Sequence, residues 1–187
     1  MWDNIYYYDQ LLLLKLNGSW GLFWDKFFWY VTKPIIWIPL FIIIMVIGVK
    51  KIGWKKTLLA ALLIAIGIII SDDICSYFKK TVMKLRPSRN PEIMHLVHTV
   101  YSYRGGLYGT FSAHAANSFF LAIFTSSVIQ NTLFTIIMLL WALLFSFSRI
   151  YLGVHFPLDL LFGSLTGIIV ALIMFKIYNI IIKKCVK

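Results

Sequence analysis

Three short runs hold most of the residues in this chain that can do polar chemistry: Lys79 with Arg86-Pro87, then Ser112-Ala113-His114, then Ser148-Arg149 with His155 and Asp159. Together they describe a site for a tetrahedral dianion. Arg86 and Arg149 grip phosphate oxygens in a fork, Lys79 adds a point charge, and Ser112 offers a hydroxyl. A helix beginning at Ser112 leaves the backbone N–H groups of Ala113 and His114 free for an anion, with the positive end of the helix dipole behind them. His155 is then the candidate nucleophile. Asp159, four residues on, fixes which ring nitrogen of His155 carries the proton, and His114 serves first as acid and then as base. Each fragment is weak by itself. A histidine near a helix end is commonly structural, and His and Asp four apart equally suit half a metal site or a surface pair. Their joint occurrence carries the reading.

The elements that must position these residues are membrane helices. Of the 187 residues, 60% are apolar and 13% charged, too few charges to coat a soluble globule of that composition. The length suits one domain, residues 1–187. The net charge of +11 belongs with lipid headgroups and an anionic substrate, because the basic residues flank apolar runs or lie in the motif segments; nucleic acid is not the expected partner. Cys75 and Cys185 suggest neither a disulfide framework nor a zinc site.

Residues 1–33 lack the basic stretch and small-residue cleavage site of a removable signal peptide. They are rich in aromatics, including Trp2, Tyr6, Tyr7, Tyr8, Trp20, Trp24, Trp29 and Tyr30. They read as two interfacial helices about an Asn17-Gly18-Ser19 turn, serving as anchors or as a gate for a lipid chain. Five spans follow, at about 34–49, 57–78, 111–129, 132–148 and 157–182, the first borrowing residues from the aromatic segment. Between them lie a polar loop, 79–110, and a connection, 149–156. Asp72 and Asp73 are expected to face the basic residues of the site or to form a structural salt bridge.

Five crossings place the 79–111 and 148–157 segments on one face, so the three motifs converge. The other face collects Lys50, Lys51, Lys55, Lys56, Gln130-Asn131, Lys183, Lys184 and Lys187. With the phosphate ligands discounted, this acid-free lysine face is cytoplasmic, and the site faces the periplasm or exterior of a bacterial inner membrane.

Lys79-x6-Arg86-Pro87, Phe111-Ser112-Ala113-His114 and Ser148-Arg149-x5-His155-x3-Asp159 resemble the three-part signature of the type 2 phosphatidic acid phosphatase (PAP2) superfamily. The resemblance implies an all-α, polytopic membrane bundle and a lipid phosphatase that needs no metal or other cofactor. It implies His155 as nucleophile, through a phosphohistidine, with His114 as acid, Asp159 as partner, and Lys79, Arg86, Ser112, Ala113 and Arg149 around the phosphate. Phe111 and Ala113 depart from the usual Pro-Ser-Gly-His, and Ala113 would hinder a cradle that needs a positive φ. Lys80 competes with Lys79, but the six-residue gap favours Lys79. His95 and His98 are further headgroup candidates. Lys80, Lys84, Arg89 and Arg104 would suit a large, multiply anionic headgroup, which favours lipid A over undecaprenyl diphosphate, phosphatidylglycerol phosphate or phosphatidic acid. A non-catalytic lipid-phosphate binding or transport protein is the alternative of another class, and it does not require a paired nucleophile and acid.

Overall fold

Glycine, proline and lysine punctuate the apolar runs, and the chain folds as helix after helix. A computed structural model describes residues 2–185; Lys187 and the side chains of Trp2 and Cys185 lie outside the described residues. The helices are α1 (Trp2–Leu16), α2 (Leu22–Val31), α3 (Ile38–Ile52), α4 (Trp54–Val82), α5 (Ala113–Ile129), α6 (Thr132–Tyr151) and α7 (Pro157–Cys185). Among the described residues there is no strand, only an isolated antiparallel bridge between Leu85 and Tyr108. The polytopic helical bundle is as expected. Four stretches, Pro34–Ile52, Trp54–Val82, Thr132–Tyr151 and Pro157–Lys184, are long and apolar enough to cross a membrane, and Ala113–Ile129 is a shorter apolar helix.

Several boundaries differ from expectation. Lys33, extended as a residue before proline must be, and the tight turn Pro34–Trp37 separate α2 from α3, so the first span borrows nothing from the aromatic segment. It gains a turn at its other end, because Lys50 and Lys51 stay helical with their charged heads free to reach water, and Gly53, at φ +85°, makes the break. Helix α4 continues to Val82 and α6 to Tyr151. Lys79 and Arg149 are therefore held on the last turns of helices rather than in loops.

Helix α5 is the axis of the bundle, packed against α4, α6 and α7. Its seam with α7 is backbone against backbone: a Cβ at Gly163 would strike the Ser112 carbonyl oxygen, and one at Gly167 the Ala116 carbonyl oxygen. Small residues permit such close approach where lipid provides no hydrophobic drive between helices. Leu58, Leu62, Ile69, Leu140, Leu165 and Ile169 are exposed on the outside of the bundle, as a hydrocarbon solvent allows. At one end Lys51 Nζ donates to the Gln130 carbonyl at 3.1 Å, tying the α3–α4 turn to the α5–α6 turn. The motif segments meet at the other end, as the alternation of the five apolar helices α3 to α7 requires.

The N-terminal helices do more than anchor. Asp9, Leu13 and Asn17 follow at four-residue intervals and are buried, so α1 turns one face inward. The Asn17 amide donates to the carbonyls of Ile150, Tyr151 and His98 at 2.9, 2.9 and 3.1 Å, and its Oδ1 accepts from His98 N–H at 2.8 Å. That clamp satisfies carbonyls at the end of α6, where a helix has none of its own donors left. From α2, Asp25 accepts from the Tyr151 hydroxyl at 2.7 Å and pairs with His98 Nε2 at 2.9 Å. His98 is thus committed to structure and is not a headgroup reader, whereas His95 is exposed.

Candidate active site

The site is built where the starts of α5 and α7 and the ends of α4 and α6 come together. Ser112 caps α5: its Oγ accepts from Ala115 N–H at 3.4 Å, and its own N–H donates to the Asp159 carbonyl at 3.0 Å, locking the first turns of α5 and α7 together. Ser112 is fully buried, with its hydroxyl proton still available. Ala113 opens α5 without a positive φ, so its methyl imposes no backbone strain. Phe111 stacks between Phe78 and Phe162, with centroids at 4.2 and 5.3 Å. In place of the proline it supplies an aromatic bridge from the Lys79 turn of α4 to α7.

His155 is 2% exposed. Its Nδ1 lies 3.1 Å from the Gly109 carbonyl and 3.3 Å from Asp159 Oδ2. A carbonyl can only accept, so Nδ1 carries the proton and Nε2 presents its lone pair. Burial first, then the charges of Arg86, Arg149 and Lys79, hold His155 well below the usual histidine range, leaving the imidazole neutral. Asp159 Oδ2 also accepts from Phe156 N–H at 2.9 Å, which fixes the carboxylate at the start of α7.

Three cations surround this pair, and none of them makes a direct ion pair. Among the described residues, Lys79, Arg86 and Arg149 form no salt bridge. Arg149 is 3% exposed, one of its guanidinium nitrogens donates to Thr32 Oγ1, and its Nε has no partner. Buried guanidinium groups without an anion are expensive; a bound dianion removes that cost. Arg86 Nε donates to the Tyr108 carbonyl at 3.0 Å, and Gly105 and Gly109 leave it room: a Cβ at Gly105 would lie 2.6 Å from Arg86 Nη1, one at Gly109 2.7 Å from its Cγ. His114, in the first turn of α5, stacks on Phe145 with centroids 5.5 Å apart and lies in the field of Arg149, His155, Lys79 and Arg86. The site therefore brings together all eight of the expected residues: His155, His114, Asp159, Lys79, Arg86, Ser112, Ala113 and Arg149.

Residues 57–183 match the PAP2 superfamily. The chain belongs to that superfamily. Two lipid A 4′-phosphatases are similar to this PAP2 chain. The one from Bacteroides thetaiotaomicron is 42% identical over 85% of this chain and 72% of its own. That from Porphyromonas gingivalis is 34% identical over 91% and 72%. Among solved structures, Aquifex aeolicus LpxE superposes with a TM-score of 0.63 at 25% identity, over 88% of this chain and 93% of its own. A Bacillus subtilis PAP2-type phosphatidylglycerolphosphate phosphatase gives 0.69 at 20% identity, over 97% and 89%, a likeness of fold. As a PAP2 protein with these relatives, the chain is a membrane phosphatase, a phosphoric ester hydrolase.

The PAP2 signature did not reveal several partners. Lys84 is not a free headgroup contact: its ammonium lies 3.0 Å from Asp9 Oδ2 and 3.2 Å from Asp159 Oδ1. Burial raises the Asp9 carboxyl above its ordinary range, with Lys84 beside it acting the other way. Nothing in the spacing 9, 84, 159 signals this triad. Lys80, Arg89 and Arg104 are exposed and remain at the surface of the site end. Asp72 makes no direct ion pair but lies in the field of Lys79 on the same helix, as a carboxylate facing the basic residues of the site should; it accepts from Asn117 Nδ2 at 2.9 Å, and Asp73 is exposed. Asp72, Asn117 and His114 share the wall of a cavity of about 360 Å³ with Trp37, Trp141 and Phe145. It adjoins a second, apolar cavity through Phe41, Ile68 and Leu121, and that one continues along Ile44, Ala61 and Ile64. An apolar channel thus leads away from His114 between α3, α4 and α5.

Proposed function

We propose that this protein removes a phosphate from the headgroup of lipid A, the 4′-phosphate as in its relatives, through a phosphohistidine on His155. One observation carries the reading: three cations that make no direct ion pair, one of them almost fully buried, surround a neutral histidine whose Nδ1 proton is pinned. Nε2 attacks phosphorus, the P–N bond forms, and the P–O bond to the sugar breaks. His114 gives a proton to the departing oxygen. His114 then takes a proton from water, whose oxygen attacks phosphorus and releases inorganic phosphate and free His155. Lys79, Arg86 and Arg149 stabilise the charge on the equatorial oxygens, and Ser112 with the free N–H groups of α5 completes the cradle. The channel beside His114 takes an acyl chain, which brings the lipid phosphate to the site from the bilayer.

The whole chain works as one unit, since Thr32 holds Arg149 while Asn17 and Asp9 brace the end of α6 and the start of α7 that carry site residues. Its membrane is the bacterial inner membrane, with the site on the periplasmic side. The support is the lysine-rich opposite end, Lys50, Lys51, Lys55, Lys56, Lys183 and Lys184, which the positive-inside rule assigns to the cytoplasm.

The test is incubation of purified protein in detergent with lipid A, undecaprenyl diphosphate and phosphatidylglycerol phosphate, with EDTA and with His155→Ala as arms. Expected are lipid A lacking its 4′-phosphate by mass spectrometry, turnover indifferent to EDTA, and none from His155→Ala. Preference for undecaprenyl diphosphate would overturn the substrate, and inhibition by EDTA the mechanism. For sidedness, a cysteine placed at Lys80 should react with impermeant maleimide from outside, and one at Lys55 should not.

A further inference from the structure

The geometry points to Lys84 and Asp9 as positioning residues that set the nucleophile by holding Asp159, a role resting on the reading of His155 above. Asp159 is 1% exposed, and its two oxygens are used differently. Oδ2 takes His155 Nδ1 and the Phe156 N–H, whereas Oδ1 has Lys84 as its hydrogen-bond partner. Without the ammonium, a buried carboxylate oxygen loses its partner, and the Phe156 N–H is left to hold the group against rotation from one side only.

Lys84 is placed to hold both acceptors of the same imidazole proton. Its side chain reaches Asp159, and its backbone carbonyl accepts from Gly109 N–H at 3.0 Å; the carbonyl of Gly109 is the second acceptor for His155 Nδ1. One residue thus governs the two bonds that fix the tautomer and tilt of the ring. The ammonium also sits 4.2 Å from the Phe156 ring centroid and 5.5 Å from that of Tyr6, which shields it in part from water and holds it in place.

Asp9 closes the arrangement from α1. Its Oδ2 pairs with Lys84, and its Oδ1 accepts from Leu158 N–H at 2.9 Å, one residue before Asp159. The ammonium therefore lies between two carboxylates on different helices, and Asp9 is joined both to the cation and to the backbone that bears Asp159. A headgroup ligand would be left with its charge unspent. Lys84 is not.

The experiment measures kcat and KM for lipid A and for p-nitrophenyl phosphate, a substrate without a headgroup, in wild type, Lys84→Met, Lys84→Arg, Asp9→Asn and His155→Ala. Lys84→Met should lose kcat by about ten- to a hundredfold on both substrates with KM within about threefold, and Lys84→Arg should recover part of it. Asp9→Asn keeps an acceptor for Leu158 N–H but loses the charge, so kcat should fall by about three- to tenfold while thermal stability in detergent is retained. Lys84→Met that keeps its kcat, or that only raises KM for lipid A, overturns the inference. So does loss of activity in step with loss of the folded state at the assay temperature. His155→Ala separates the two readings: if wild-type turnover does not need His155, the nucleophile falls first.

Discussion

Gly109→Ala adds one methyl group between Arg86 and His155. The new Cβ would stand 2.7 Å from Arg86 Cγ and 3.4 Å from both His155 Nδ1 and the Val154 carbonyl oxygen, where ordinary contact begins at 3.4 Å. Val154 is backbone and His155 is pinned, so Arg86 must give way by about 0.7 Å, and its Nε bond to the Tyr108 carbonyl moves with it. A displacement near 1 Å of a positioning group can cost about a hundredfold, so kcat/KM should fall about ten- to a hundredfold, or about 1.4–2.7 kcal/mol of transition-state stabilisation. Gly109 does not need a positive φ, and the loss is therefore one of placement rather than backbone strain. Gly106→Ala is the internal control: its Cβ meets Arg86 Nη2 at 3.9 Å and should leave turnover unchanged. Phosphate release from lipid A under subsaturating conditions measures both. Equal damage from the two substitutions, or none from Gly109→Ala, would refute the argument.

Lys79→Ala should lower kcat by about a hundredfold or more, as loss of a transition-state donor does, whereas Lys80→Ala on the exposed side of α4 should stay within about threefold; steady-state kinetics of the two variants decides. Unfolded His155 takes up a proton below about pH 6.5, and folded His155, held well below that value, does not. The unfolded state then binds more protons, so stability falls with falling pH, and wild type should lose up to about 1.4 kcal/mol per unit below 6.5 relative to His155→Gln in thermal melts. Leu121→Trp, which narrows the channel where its two cavities meet, should raise KM for lipid A and leave p-nitrophenyl phosphate hydrolysis unchanged. An equal effect on both substrates would remove the channel from the argument.

The eight residues of the motifs were legible because each motif sits where a helix begins or ends, and apolar runs fix the order of helix ends in space. What distance in sequence conceals was not. Asp9 looked like part of an interfacial aromatic helix, because a buried acid is recognisable only once its cation, 75 residues away, is in place. Lys84 looked free for the same reason. Arg149 reads as part of a loop, but α6 continues through it to Tyr151 because Asn17, far off in sequence, supplies donors to the last carbonyls. Thr32, which holds Arg149, carries no signal: threonine at the end of an aromatic segment suits any helix terminus.

The glycine seam between α5 and α7 divides the molecule into an engine and a reader. With only the Ala115 methyl between them, Ser112–Ala116 and Gly163–Gly167 are in near backbone contact, which resists one helix sliding past the other. His114 and Asp159 ride on that fixed pair. The surfaces proposed for the rest of the lipid, Arg89, Arg104 and the α3 side of the channel, lie on other elements. On that reading those elements can be rebuilt for a different headgroup or chain length without touching the chemistry, which would make substrate choice in this scaffold a property of its periphery.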